Sequence, residues 1–469
     1  MNEEKKEKKG DQIPDVIGSL KRALENPIAR YILRSLSKGD SLEKALAIFA
    51  GTETQTCIRC QFHAFLLGTT IKSGAKKLEV GEERILNYLN DRSVQRGIAN
   101  IIRGIAEYGI TKPQKLHAPF LVVWDYTKAC NLRCTHCYAE AGKVAPDELT
   151  TAERKEVVDQ LYDAGVAALS FSGGEPLMRH DFFEVASYAA SKYLYVTIAT
   201  NGTLITREVA RKLNECGVKY AEVSLDGPRE VHDSIRGVEG AFDRTLEGLR
   251  NCIAEGIKTG MAMTVMQNNR AYVPEMVELA RDVGVDRFIA FNFIPVGGGR
   301  ERWNLDLSSE EREEVLLYLY DQMMKRSGLE IFCTAPEYAR VALEEAYEGE
   351  GEVVPVSHFA AFDLKSKTVA LTDFIGGCGA GRLYCSIEHN GDIQPCVFMP
   401  IKVGNVLKDG FAPVWHNAEV LEQLRDRDQL KGICGGCKYK YVCGGCRARA
   451  YAYFGDYLAS EPGAKEHRR

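Results

Sequence analysis

Cys130-Asn-Leu-Arg-Cys134-Thr-His-Cys137 places three thiols within eight residues, on a loop that leaves a strand-like run. Thiolates so spaced can wrap one face of a cubane iron–sulfur cluster, and the loop offers no fourth thiolate, so one iron is left open. An open iron can chelate a small ligand through an amino and a carboxylate group. Zinc is the alternative, but zinc sites favour four ligands in two-residue pairs, and His136 would have to act beside its own neighbour. Seven more cysteines lie between Cys378 and Cys446. Among them, Cys434, Cys437, Cys443 and Cys446 carry the paired spacing of a zinc ribbon, which stands as the rival to iron there. Cys57 and Cys60 form a two-residue pair in a helical region, read as packed or incidental thiols in preference to a redox or ligand role. Cys216, Cys252 and Cys333 sit in amphipathic or apolar stretches and read as small buried thiols.

Fifteen cysteines in 469 residues is a high count for a chain without secretory features. The first ten residues are a Glu/Lys run with no apolar core, read with 11–15 as a disordered tail and not as a signal peptide. No apolar run reaches the roughly 18 to 20 residues of a membrane span. These features predict a cytoplasmic protein, where clustered cysteines more often bind metal or do redox work than form disulfides. A net charge of −5 and a pI near 6.1 give no basic footprint for nucleic acid.

The elements that must position these residues alternate in type. Residues 16–112 carry apolar residues at three- and four-residue spacings and predict a helical N-terminal domain, closed by Pro113 and Pro119. From Phe120 onward, strand-like runs at Phe120–Asp125, Ala168–Ser172, Tyr195–Thr200, Tyr220–Leu225, Gly260–Val265 and Phe288–Ile294 alternate with helical patterns. Those helices are expected at Thr151–Ala164, Asp181–Lys192, Arg207–Cys216, Ala241–Glu255, Val273–Val283 and Ser309–Lys325. The alternation predicts an α/β fold with a parallel sheet: a partial six-unit TIM-like barrel over 119–340, with chemistry at the C-terminal strand ends. An acidic connection follows within 341–370, centred on Glu344–Val356. Residues 371–464 are Gly- and Cys-rich, with a modest helix around Ala418–Arg427, and need bound metal to supply part of their folding energy.

The three-and-two cysteine spacing, the aromatic His136 before the last cysteine, and the following Tyr138 resemble the radical S-adenosylmethionine (SAM) superfamily. The likeness runs along the barrel. Ser172-Gly173-Gly174-Glu175-Pro176 is similar to the element whose backbone receives the methionine amino group; two glycines allow close main-chain approach and Glu175 offers charge to an ammonium. Thr200-Asn201-Gly202 and Ser224-Leu225-Asp226 resemble the ribose-contacting elements. The resemblance implies cofactor contacts at His136, Tyr138, Ser172, Gly173, Gly174, Glu175, Asn201, Ser224 and Asp226, with a [4Fe–4S] cluster on Cys130, Cys134 and Cys137. It implies reductive cleavage of SAM to a 5′-deoxyadenosyl radical, with electrons from a low-potential donor of ferredoxin or flavodoxin type. No general base stands out.

Residues 371–464 resemble a SPASM domain, the auxiliary-cluster module of such enzymes. Carry-over assigns Cys378, Cys385, Cys396 and Cys446 to one auxiliary [4Fe–4S] cluster and Cys434, Cys437 and Cys443 to a second. Cys443 to Cys446 spans two residues where the family has three, and Ala464 stands near the position of the expected last cysteine. The second centre therefore has an open iron, a non-cysteine ligand such as His467, or does not form. The expected substrate is a peptide or protein side chain, modified as by a maturase. Oxidation or decarboxylation of a tetrapyrrole or other cofactor precursor is the second reading, and an iron–sulfur electron-transfer protein the third.

Overall fold

A computed structural model describes residues 26–54, 57–77, 81–325, 327–348, 354–357, 360–362 and 372–465. The N-terminal tail, His467 and part of the acidic connection lie outside the described residues. The N-terminal region is helical: Pro27–Leu36, Ser41–Phe49, Ile58–Lys77, Glu82–Leu89 and Arg92–Tyr108, with no strand among the described residues before Leu121. Leu42, Leu46, Leu67, Leu89 and Ala99 form its own small core. It is fastened to the barrel by Arg96, whose guanidinium donates to the carbonyls of Tyr162 and Val166, and by Asn100, which exchanges hydrogen bonds with the backbone of Ala118.

The barrel strands are β1 (Leu121–Asp125), β2 (Ala168–Ser172), β3 (Tyr195–Thr200), β4 (Val218–Ser224), β5 (Lys258–Val265), β6 (Arg287–Asn292) and β7 (Glu330–Cys333). All pair in parallel and in sequence order. The six expected strands are present, and β7 adds a seventh that four residues were too few to signal. Parallel strands need long crossovers, and the chain supplies helices with clear start and stop chemistry. Thr150 with Glu153 and Ser308 with Glu311 form capping boxes at two of them, and Gly165 and Gly284 end helices in the left-handed conformation.

After a separate two-stranded pair, β8 (Val354–Ser357) with β9 (Ala360–Phe362), come β10 (Tyr384–Ile387), β11 (Asp392–Gln394) and β12 (Gly404–Asn405). The sheet order is β12-β11-β10-β1-β2-β3-β4-β5-β6-β7, with β10 parallel to β1 and its two successors antiparallel. The cysteine-rich segment thus extends the barrel sheet and shares its core: Ile387, Ile393, Val406 and Trp415 pack with Val122, Leu169 and Phe171. The acidic connection is partly helix, since Glu337–Glu348 runs into it. The modest helix near Ala418 is two short ones, Phe411–Asn417 and Glu419–Arg425, broken at extended Ala418.

Candidate functional site

The loop carrying Cys130, Cys134 and Cys137 is held from two sides. Gly174 and Glu175 donate their backbone N–H groups to the carbonyls of Thr127 and Ala129. On the other side, Arg133 and Thr135 donate to the carbonyls of Arg236 and Ile235, at the C-terminus of helix Arg229–Arg236. This docking explains the glycines. A Cβ on Gly174 would stand 2.1 Å from the Ala129 oxygen, and one on Gly173 would stand 2.7 Å from the Thr127 oxygen. Their smallness serves the approach of the cysteine loop itself, in addition to any ligand.

Each thiol of the loop meets a donor. Leu132 N–H points at Cys130 Sγ (3.5 Å), Ala141 N–H at Cys137 Sγ (3.4 Å) and the Arg236 guanidinium at Cys134 Sγ (3.6 Å). Burial pushes the Cys130 thiol up to about 11 and raises Cys134 as well. Three sulfurs that line one cavity and are each faced by a donor fit a metal centre that replaces their protons and leaves hydrogen-bonded sulfur. The donor set therefore suits a cluster bound through three thiolates.

The cysteine loop lines a cavity of about 290 Å³. Its wall includes His136, Tyr138, Ser172, Gly173, Gly174, Asn201 and Ser224 of the expected cofactor contacts. Glu175 and Asp226 are not brought to that wall. Glu175 is buried behind it, accepting from Asn201 N–H (2.8 Å), Thr200 Oγ1 (2.9 Å) and Leu177 N–H (3.2 Å), and burial pushes its carboxyl up to about 7. Asp226 accepts from Thr264 N–H and pairs with Arg236 Nη2 at 2.7 Å, so it orients the cation that faces Cys134. Arg236 holds its proton more tightly as a result, although burial opposes this. His136 lies 3.8 Å from Asp226, and burial pushes its imidazole down to about 4, so it is neutral near pH 7. Tyr138 donates to Asp125 Oδ1 and meets Ser172 Oγ, which fixes its ring against Phe398.

The same cavity is also lined by Cys378, Cys396 and Cys446, with Tyr384 and Phe398. Cys396 accepts from Phe398 N–H at 3.4 Å and from the Tyr384 hydroxyl at 2.8 Å. Cys385 is not with them. Successive strand residues point to opposite faces, so with Tyr384 turned into the cavity Cys385 enters the apolar core beside Val122 and Ile387. A third group, Cys434, Cys437 and Cys443 with Ala464, surrounds a smaller space of about 40 Å³. The same i+2 donor pattern recurs there: Tyr439 N–H to Cys437 (3.4 Å) and Gly445 N–H to Cys443 (3.3 Å), while Glu461 N–H reaches Cys434 (3.3 Å). The structure separates Cys446 from this group, which does not favour the zinc ribbon.

Cys57 and Cys60 are not packed away. Cys57 is exposed and Cys60 half-buried at the start of helix Ile58–Lys77, with sulfurs 2.6 Å apart. Cys216, Cys252 and Cys333 are buried, as expected, though Cys333 also touches the large cavity. Sequence reasoning missed Arg236 and Tyr384. An Arg ending a short amphipathic helix carries no motif, and neither does a Tyr beside a cysteine. No helix among the described residues is long and apolar enough to cross a membrane.

The Radical SAM superfamily model matches residues 124–300, and the iron–sulfur cluster-binding SPASM domain model matches residues 378–438. An AdoMet-dependent heme synthase from Methanosarcina barkeri is 39% identical over 349 residues, covering 74% of this chain and 96% of that protein. The mycofactocin maturase MftC of Mycobacterium tuberculosis is 33% identical over 328 residues, covering 69% and 76%. Among solved structures, Streptococcus suis SuiB bound to precursor peptide SuiA aligns with a TM-score of 0.63 at 18% identity, over 89% of this chain and 91% of that one. At that identity the likeness concerns the fold alone.

Proposed function

We infer from membership of the radical SAM superfamily, to which this chain belongs with a SPASM domain towards its C-terminus, that it is an enzyme acting on a tetrapyrrole or comparable cofactor precursor. The proposed reaction is oxidation or decarboxylation of a side chain. The carrying observation is the cavity. Its wall is mainly apolar and aromatic, with Phe291, Phe293, Phe398, Tyr338 and Tyr384. Its charged side chains among the described residues, besides neutral His136, are Arg236 and Glu222. Arg236 is already paired with Asp226, and burial pushes Glu222 up to about 7. Such a wall suits a flat apolar ring better than an extended polar backbone. The 39% identity with a heme synthase over nearly its whole length supports the same reading. So does an N-terminal region without a described strand edge to which a peptide would add.

When bound, the loop cluster with SAM supplies the 5′-deoxyadenosyl radical and an auxiliary cluster supplies a one-electron acceptor. Cys130, Cys134 and Cys137 hold the first, and Cys378, Cys396 and Cys446 the second, with a ferredoxin- or flavodoxin-type protein as reductant. The protein's own contribution is position. Asn201, Ser172, Ser224 and the Gly173–Gly174 backbone face the space beside the loop, and the aromatic wall keeps water from a radical. For a propionate, R–CH2–CH2–COO⁻ that loses one hydrogen atom, CO2 and one electron becomes R–CH=CH2.

The test is anaerobic, cluster-reconstituted protein with dithionite, SAM and an iron porphyrin bearing propionates. Expected are 5′-deoxyadenosine and a porphyrin lighter by CO2 and two hydrogens per side chain. Deoxyadenosine with unchanged porphyrin would sink this reading. It would leave a peptide side chain as substrate, the reading that 33% identity with mycofactocin maturase favours.

A further inference from the structure

Three side chains with lone pairs to give converge outside the cysteine sites, where the N-terminal helices, the entry to β1 and the C-terminal segment meet. Glu107 lies in the last turn of helix Arg92–Tyr108, His117 on the segment leading into β1, and His416 in the last turn of helix Phe411–Asn417. One ligand atom from each lies within 4.8 Å of the other two. His117 Nδ1 is 2.9 Å from Glu107 Oε2 and His416 Nδ1 is 3.8 Å from Glu107 Oε1, so each carboxylate oxygen faces one imidazole nitrogen. The ring centroids are 5.2 Å apart. Neighbours hold this aim. The Tyr108 hydroxyl meets His416 Nδ1 at 3.0 Å, and Ala118, next to His117, exchanges hydrogen bonds with Asn100.

A His–Glu ion pair accounts for part of this arrangement and not for the rest. One carboxylate serves two imidazoles, and protonating both rings would set two cations against each other at close range. The helix ends deepen the shortage of positive charge. Glu107 is a carboxylate at the negative end of helix Arg92–Tyr108, whose last turn carries no basic residue, and helix Phe411–Asn417 brings a second C-terminal end to the same place. The neighbouring cations are engaged with another carboxylate: Lys115 Nζ pairs with Glu422 Oε2 at 2.9 Å, and Arg425 Nη1 with Glu422 Oε1 at 2.7 Å. A single divalent ion would satisfy all three groups at once.

We propose that Glu107, His117 and His416 bind a divalent transition-metal ion of the zinc class, at a site separate from both groups of clustered cysteines. Two imidazole nitrogens and a carboxylate oxygen are donors that zinc accepts, and bonds of about 2.0–2.1 Å in a tetrahedron set ligand atoms about 3.3 Å apart. The separations of 2.9 and 3.8 Å bracket that spacing, so the ligands close on an ion by small side-chain adjustments. The three side chains are partly exposed, which leaves the fourth position to water. None of them lines the large cavity, so the ion acts on architecture: it pins the N-terminal helices, the barrel entry and the C-terminal segment at one point.

The experiment uses the full chain with its clusters loaded, dialysed anaerobically against micromolar zinc. It should hold about one zinc per chain, with an X-ray absorption spectrum showing imidazole and oxygen at about 2.0–2.1 Å and no sulfur at about 2.3 Å. That readout needs no variant. H117A/H416A should lose the zinc while keeping its iron and its release of 5′-deoxyadenosine from SAM, which together report that it has folded. E107Q keeps the shape and removes the charge, and should weaken zinc binding roughly tenfold or more, since even an outer-shell partner of a metal is worth that much. Zinc should also raise the thermal unfolding midpoint of the parent and leave that of H117A/H416A unchanged. A sulfur shell around the zinc would put it on cysteines and overturn the site. So would a parent that binds no zinc, or an unchanged zinc spectrum in H117A/H416A.

Discussion

The cysteine loop at 130–137 and the cysteine-rich segment at 378–446 bring thiols together by opposite strategies, and both are proposed here as iron sites. In the loop, three ligands come from eight consecutive residues, and the scaffold's task is to seat that loop, which it does through the backbone of Gly174 and Glu175 and the C-terminal carbonyls of helix Arg229–Arg236. In the C-terminal segment, ligands arrive singly from distant points, and sheet register decides which cysteine reaches which centre. Cys396 follows a short hairpin, Cys446 begins helix Arg447–Phe454, and Cys378 is tied by its N–H to the Cys443 carbonyl. A local site is specified by spacing. A dispersed one is specified by topology.

The largest effect that tests this contrast is removal of the local site. Replacing Cys130, Cys134 and Cys137 together by Ala should abolish 5′-deoxyadenosine release under dithionite while the C-terminal iron stays bound, because the two regions take no ligand from each other. Iron and sulfide analysis alongside a cleavage assay reads both. Loss of all iron in that variant would mean that the regions load as one unit, and the contrast would fail.

Next in size is a pair within the dispersed site. Cys396→Ala should remove about four irons and product formation, since Cys396 stands in the cavity with Cys378 and Cys446. Cys385→Ala should remove none and cost only about 1 kcal/mol of stability, the loss of one buried sulfur from the core. The two cysteines are eleven positions apart in one sequence motif, and iron analysis with thermal unfolding separates them. Equal iron loss in both would show that β10 shifts register on loading.

This pair also shows what was legible and what was not. Helix positions in the barrel were legible because a period of 3.6 is written over ten or more residues, and strand positions because short apolar runs alternate with those helices; Thr151–Ala164, Ala168–Ser172, Tyr195–Thr200 and Val273–Val283 stand where the pattern put them. The family and its cofactors were legible because the ligands are contiguous. The place of Cys385 was not legible, because a spacing rule counts residues but not faces, and whether Tyr384 or Cys385 turns into the cavity depends on β10 pairing with β1, some 260 residues earlier. The orientation of Glu175 and Asp226 was not legible for a related reason. Both lie at strand ends as expected, yet each points behind the wall, one onto the Asn201 backbone and the other onto Arg236.

Arg236 gives the smallest effect and the one most specific to the local site. Its guanidinium bridges the buried Asp226 carboxylate and Cys134 Sγ, so it places positive charge and an N–H donor beside the loop thiolates. Both features favour the more negative, reduced state of a bound cluster. Arg236→Gln removes the charge and leaves Asp226 uncompensated, which adds repulsion in the same direction. The midpoint potential of the loop cluster should fall by tens of millivolts, where about 59 mV is tenfold for one electron, and SAM cleavage should slow by roughly tenfold. Adding Asp226→Asn should recover part of the shift, because the unpaired carboxylate disappears with it. The auxiliary potentials should move less, since Arg236 is paired with Asp226 and donates to Cys134 and not to Cys378, Cys396 or Cys446. Redox titration followed by EPR measures all the centres at once. A potential unchanged by Arg236→Gln would show that the loop cluster is tuned by its backbone N–H donors alone, and an equal shift at the auxiliary centres would show that the cavity transmits charge from one strategy's site to the other's.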